Sequence, residues 1–146
     1  MALERVKDIL MADEAKTSAI AFICIDYNMV YSVIKTAEKT NTPAIIMLLP
    51  EHSEDNNVFG IKSFVEMTKE LAAQAKVPIG LHLDHSYDYD SVIKAIKLGF
   101  PSVMIDGSHK SLEENIAITK KVTETAHILG VDVEGELGSM GKEESA

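Results

Sequence analysis

Three short stretches of this sequence carry side chains that can hold a cation or move a proton: His82-Leu83-Asp84-His85, Asp106-Gly107-Ser108-His109 and Glu134-Gly135-Glu136. Each closes an apolar run of strand length, so each reads as the carboxyl end of a β-strand. Side chains alternate along a strand, which puts His82 with Asp84 on one face and Glu134 with Glu136 on one face. Carboxylates turned inward are costly unless paired or bound to a metal, so a cluster of them points to a cation. Taken singly, these residues have plainer uses. Asp84 or Asp106 alone would serve as a cap for the next helix. His82 reads as a hydrogen-bonded interior histidine, His109 as a loop residue near a helix start, and His127 as a mid-helix residue with a structural role. The convergence of three strand ends is what favours a site.

The elements that must position these residues alternate in type. Apolar runs rich in Ile and Val lie at 19–25, 44–49, 78–84, 102–106 and 131–136, and stretches of helical period separate them. Runs apolar at successive positions, such as Ile45-Ile46-Met47-Leu48-Leu49, imply strands covered on both faces, as in a parallel α/β sheet. Helices are expected over 3–11, 30–40, 61–76 and 89–98, the last capped by Asp88 and stopped at Gly99. A further helix starts at Ser111, where Ser111 and Glu114 form a capping box, and ends at Gly130, with Ile116, Val122, Ala126 and Leu129 near one face. The stretch 51–57, which includes His52, has no apolar period and reads as an exposed loop. Strand spacing of roughly 20 to 35 residues is that of βα units, within a single domain over 1–146. Two architectures share this pattern. A doubly wound sheet closes at this length, whereas a TIM barrel takes eight units and about 250 residues.

Composition narrows the partners. A formal charge of −9 and a pI near 4.9, with Arg5 as the sole arginine, argue against nucleic acid and against anionic membrane surfaces. No apolar run approaches the roughly 20 residues of a membrane span, and Met1-Ala2-Leu3-Glu4-Arg5 lacks the apolar core of a signal peptide, so a cytoplasmic protein is expected. The lone cysteine, Cys24, has no internal disulfide partner and reads as a small buried side chain.

Four blocks in order resemble the class II, metal-dependent fructose- and tagatose-bisphosphate aldolases. They are 81–85 (Leu-His-Leu-Asp-His), 99–108 (Gly-Phe-Pro-Ser-Val-Met-Ile-Asp-Gly-Ser), Glu114-Asn115, and 133–138 (Val-Glu-Gly-Glu-Leu-Gly). The resemblance implies a TIM barrel of the (β/α)8 family, with about the first five βα units in this chain. It implies an enzyme that splits ketose 1,6-bisphosphates reversibly into dihydroxyacetone phosphate and glyceraldehyde 3-phosphate, within cytoplasmic carbohydrate breakdown. His85 would be a ligand of catalytic zinc and Asp84 the proton shuttle. Asp106 and Glu136 match positions that hold a second or alternative cation, divalent or monovalent. By its spacing from Glu136, Glu144 matches a loop glutamate that removes a proton from the bound triose. The resemblance also implies sugar phosphates as small-molecule partners and a homo-oligomer, dimer or tetramer. The family's other two zinc histidines and most of its phosphate-binding backbone belong to the last three βα units, which leaves a non-catalytic half-barrel, acting as an assembly or binding module, as the alternative.

The residue types suit that chemistry. Cleaving a carbon–carbon bond beside a carbonyl leaves negative charge on one fragment, which a Lewis-acidic cation can stabilise. An acid–base group must also take the proton of the C4 hydroxyl, and Asp84 adjoins the ligand. The other route, a lysine Schiff base, wants a desolvated lysine at a strand end. None of the five apolar runs contains one.

Overall fold

The structure is a computed structural model, which describes residues 3–12, 18–51 and 60–138. The order of elements is α1 (Val6–Met11), β1 (Ala21–Ile23), α2 (Tyr27–Thr40), β2 (Ala44–Leu48), α3 (Ile61–Gln74), β3 (Ile79–Leu83), α4 (Tyr89–Leu98), β4 (Ser102–Ile105), α5 (Leu112–Ile128) and β5 (Asp132–Gly135). The strands form one parallel sheet in the order β1-β2-β3-β4-β5. That order decides between the two architectures. A doubly wound sheet reverses direction after its first strands, and the reversal is where its ligands sit. Here each unit adds its strand on the same side as the last, which is the winding of a barrel, and five units make part of one.

Alternation along each strand divides the sheet into two unlike faces. Ile46, Leu48, Ile79, Leu81, Leu83, Val103, Ile105 and Val131 turn outward and pack with Val30 and Ile34 of α2, Phe64 and Val65 of α3, Val92 of α4 and Val122 of α5 in one apolar core. Each large side chain so buried stabilises the fold by about 1.5–3 kcal/mol before entropy is counted. The inner face is the concave side, and α1 closes it at the amino ends of the strands. A Cβ added at Gly80 would meet Ile9 and Val6 at 3.1 and 3.2 Å, so this position leaves room for α1. The amino end of the helix is tied to two strands. Glu4 N–H donates to the Ile79 carbonyl at 2.9 Å, and Asp132 of β5 takes the Arg5 guanidinium and, at 3.0 Å, the Lys7 N–H.

Most of the punctuation read from the sequence is in place. Asp88 accepts from Ser91 N–H at 2.8 Å, Gly99 has a φ of 98°, and Ser111 and Glu114 make both halves of the capping box. Cys24 is fully buried. Other expectations need correcting. α2 begins at Tyr27, capped by Asp26, earlier than its apolar period suggests, because the cap rather than the period starts it. Ile116 and Leu129 are 58% and 60% exposed, and buried Asn115 takes the inward place beside Val122 and Ala126. β1 spans three residues rather than seven and is exposed throughout, since it has one described strand neighbour and little covers it. Beyond Glu51, the loop expected over 51–57 lies outside the described residues. Among the described residues no helix is long and apolar enough to cross a membrane.

The cap at Asp88 gives the first test. Asp88→Ala removes the acceptor for Ser91 N–H and the start of the helix after β3, and should lower stability by about 1 kcal/mol. Urea unfolding followed by circular dichroism reads this as a lower midpoint at unchanged slope; an unshifted midpoint would show that the cap contributes nothing.

Candidate metal centre

Three loops leave the carboxyl end of the sheet side by side, and backbone contacts hold each in place. Asp84 N–H donates to the Leu48 carbonyl at 2.9 Å, which extends the pairing of β3 with β2 by one residue. His85 then takes a φ of 33°, a left-handed value uncommon for a residue with a Cβ and typical of functional sites. The Ser86 carbonyl accepts Asp106 N–H at 2.8 Å and ties this loop to the end of β4. Asp106 uses one carboxylate oxygen to accept Ser108 N–H at 2.9 Å, which leaves the other for His85. On the third loop, Asn115 of α5 donates from its Nδ2 to the Glu136 carbonyl at 2.8 Å and accepts from Thr119 at 3.1 Å.

His85, Asp106 and Glu136 therefore meet. One donor atom from each lies within 4.8 Å of the other two. His85 Nδ1 is 3.1 Å from Asp106 Oδ2 and 3.9 Å from Glu136 Oε2. His85 Nε2 lies 3.9 Å from Asp84 Oδ1, which places Asp84 on the other side of the same ring. Asp106 is nearly buried, with 8% of its side chain exposed. Burial alone would raise its carboxyl, but hydrogen bonds from Ser108 and His85 outweigh that and hold it below the usual carboxylate range. Two carboxylates and one imidazole nitrogen at this spacing suit a divalent cation, and the set is richer in oxygen than a typical all-protein zinc site. The residues present thus fit a metal.

Beneath this cluster on the inner face lies His82, 3% exposed, whose Nδ1 is 2.8 Å from Ser102 Oγ. Its Nε2 makes no hydrogen bond among the described residues and stands 3.4 Å from Glu134 Oε2. Burial, with the nearby His85 adding to it and Asp84 opposing, pushes the His82 imidazole down to about 4, so it is neutral at pH 7. Burial and then the charges of Asp84 and Glu136 push the Glu134 carboxyl up, with His85 opposing.

Of the residues singled out in the sequence, the structure brings together His85, Asp106 and Glu136, sets Asp84 beside them, and buries His82 one layer below. Glu144 lies outside the described residues. His127 is exposed on α5. Sequence reasoning missed three supporting residues. Ser102 shares a face with Asp106 by alternation, a signal present in the strand. Asn115 follows the capping-box glutamate, but nothing in the sequence indicates that its amide reaches the end of β5. Tyr87, whose ring stands 6.4 Å from that of His85, is likewise invisible to any period.

Comparison with known proteins gives the same outline. The family model for class-II fructose-bisphosphate aldolase matches residues 4–146. The chain is 42% identical over 120 residues to a fructose-bisphosphate aldolase of Thermus caldophilus, covering 82% of this chain and 38% of that protein. It is 43% identical over 115 residues to a probable fructose-bisphosphate aldolase of Bacillus subtilis (strain 168), covering 77% and 40%. Among solved structures, the YdjI aldolase from Escherichia coli K12 superposes with a TM-score of 0.84 at 31% identity, over 94% of this chain and 52% of that one. The chain thus spans about two fifths of the length of these two curated relatives and about half of the solved structure.

The depressed His82 imidazole carries a consequence for stability. The unfolded chain binds a proton near pH 6.5, and the folded chain does not until about 4. Between those values the unfolded state holds more protons, so stability falls as pH drops through the window and is fully present above it. The contribution is on the order of 3 kcal/mol. Denaturant unfolding at pH 7 and pH 4.5 should show this loss, and His82→Gln should shrink it; an unchanged difference in the variant would remove His82 as its source.

Proposed function

The chain belongs to the class-II fructose-bisphosphate aldolase family, and on that premise we propose that it supplies the first part of a metal-dependent aldolase site. The reaction is the reversible aldol cleavage of fructose or tagatose 1,6-bisphosphate to dihydroxyacetone phosphate and glyceraldehyde 3-phosphate. The observation that carries this reading is the meeting of His85, Asp106 and Glu136, from three successive strand ends, within 4.8 Å. A divalent cation held there, zinc in this proposal, supplies Lewis-acid polarisation of the substrate carbonyl. One protein imidazole and two carboxylates leave room for further ligands, and a second cation, divalent or monovalent, fits the acidic pair Asp106 and Glu136.

The chain's own residues divide the remaining work. In the cleavage direction Asp84 takes the proton of the substrate's C4 hydroxyl, and in the synthetic direction it returns it. Its place across the His85 ring from the acidic pair keeps it apart from the ligand oxygens. Asn115 and Ser108 hold Glu136 and Asp106, so they orient donors rather than react. His82 fills the floor as a neutral side chain and adds no charge beneath the site. Glu144 is assigned to removing the proton from the bound triose on its place in the sequence alone. A cytoplasmic homo-oligomer, dimer or tetramer, completes the proposal.

A second reading, a non-catalytic half-barrel that docks onto a partner, has one observation in its favour. The edge of β1 is open, with Ile20 61% and Phe22 39% exposed, and beside it lies an apolar groove of about 770 Å³ lined by Ile9, Leu10, Ile20, Phe22 and Val33. Zinc titration with an aldol-cleavage assay separates the two. Stoichiometric zinc binding with cleavage supports the enzyme, and absence of zinc binding leaves the module. In a zinc-loaded, active form, Asp84→Ala should lower turnover by roughly 10² to 10⁴ while zinc stays bound, as for an acid–base residue. Turnover equal to that of the unaltered protein would remove Asp84 from the chemistry.

A further inference from the structure

Tyr87 follows His85 by two residues in a loop fixed on either side of it. The Ser86 carbonyl is held by Asp106 N–H at 2.8 Å, and Asp88 caps α4. The tyrosine is nonetheless 47% exposed, so burial is not what its ring provides. That ring leans on the His85 imidazole, centroid to centroid 6.4 Å at 35°, and meets the His109 ring edge-on at 5.8 Å and 75°. Both contacts lie within the range of favourable aromatic pairs. The loop that carries His109 is fixed in turn, by Lys110 N–H on the Gly107 carbonyl at 2.9 Å and Ser108 N–H on Asp106. The Tyr87 ring therefore touches both imidazoles, each carried on a loop held by backbone hydrogen bonds.

His85 needs such support. Its backbone sits at a φ of 33°, and among the described residues its side chain makes one hydrogen bond, to Asp106. One hydrogen bond leaves a ring free to pivot about the contact, whereas a second restraint fixes its plane. We propose that Tyr87, backed by His109, is a positioning residue that keeps the His85 imidazole turned so that Nδ1 joins Asp106 and Glu136 around a divalent cation. The inference rests on reading that cluster as a cation site. It assigns the work to the ring of Tyr87 and none to its hydroxyl, which makes no hydrogen bond among the described residues.

The test is calorimetric titration of the chain with Zn²⁺ alone, with the Co²⁺ absorption spectrum as a second report on the ligand field. Tyr87→Ala should weaken zinc about tenfold or more, the range seen when a residue that orients a ligand is lost. Tyr87→Phe keeps the ring and should stay within about twofold of the unaltered chain. His109→Ala should fall between them. Tyr87→Leu, which fills the space without an aromatic face, covers the case in which the alanine variant does not fold, and should weaken zinc as alanine does. Equal affinity in the alanine or leucine variant overturns the inference and leaves the cluster standing. A phenylalanine variant as weak as alanine overturns it too, by moving the role to the hydroxyl. Failure of the unaltered chain to bind Zn²⁺ overturns the cluster reading and this inference together.

Discussion

Like charges at the ends of adjacent parallel strands repel, and the contact of His85 with Asp106 is the interaction on which the whole site depends. Two carboxylates about 4 Å apart oppose one another by roughly 4 kcal/mol at the effective dielectric of a protein surface. A carboxylate oxygen of Asp106 and one of Glu136 lie within 4.8 Å of each other. Several restraints allow it. Ser108 N–H takes one oxygen of Asp106, His85 takes the other, and the Asn115 amide holds the Glu136 backbone. The imidazole reaches both acids, with Nδ1 3.1 Å from Asp106 and 3.9 Å from Glu136. A site arranged in this way before its cation arrives has already met the cost of gathering the donors.

The same constraint accounts for the unlike faces of the sheet. The outer face is apolar and takes four helices, so its strands would tolerate any large aliphatic residue of fitting volume. The inner face holds Ser102, His82 and Glu134 in a line below the cluster, and α1 seals its amino end through Arg5, Lys7 and Asp132. A charged imidazole at His82 would be costly in a place where 3% of it meets water. The neutral form, with Ser102 on one nitrogen, lets the floor stay polar without adding a positive charge that would compete with a cation above. Burial therefore stabilises this chain mostly from one side of the sheet, and the ionisable cluster sits on the other.

This division explains what was legible in the sequence. The apolar runs of β2, β3 and β4 were clear because the outer face demands them, and the ionisable strand ends were clear because they break those runs. The caps at Asp88 and Ser111 were clear because capping is local chemistry. The strand order was not, since a doubly wound sheet and a barrel share the spacing of βα units and differ only in the side on which each strand is added. An apolar stretch promises burial that an edge strand does not receive, so the apolar run over 19–25 overstates the length of β1. Helical period locates a face but not its width, so it places Ile116 and Leu129 inward, whereas the inward place goes to Asn115, whose partner is the distant backbone of Glu136. Tyr87 belongs to no period at all. Contacts between loops after different strands depend on the closing of the sheet, which no local pattern encodes.

The composition of the cluster also bears on how much of a site an arc of five strands can make. A structural or catalytic zinc takes three or four protein ligands and favours imidazole and thiolate, whereas oxygen-rich sets suit harder cations. His85 with Asp106 and Glu136 stands between these cases, with one borderline donor and two hard ones. Further imidazoles would have to come from beyond β5 or from the far side of β1, the two edges at which the described sheet is open. Exposed apolar surface marks both: Ile20 and Phe22 at one, Leu112, Ile116 and Leu137 at the other. Whatever covers those residues gains their burial, and any further ligand it brings would add to the proposed metal site. In the proposed enzyme the arc would supply the acid–base group and the oxygen donors, and metal selectivity would rest on whatever further ligands join them.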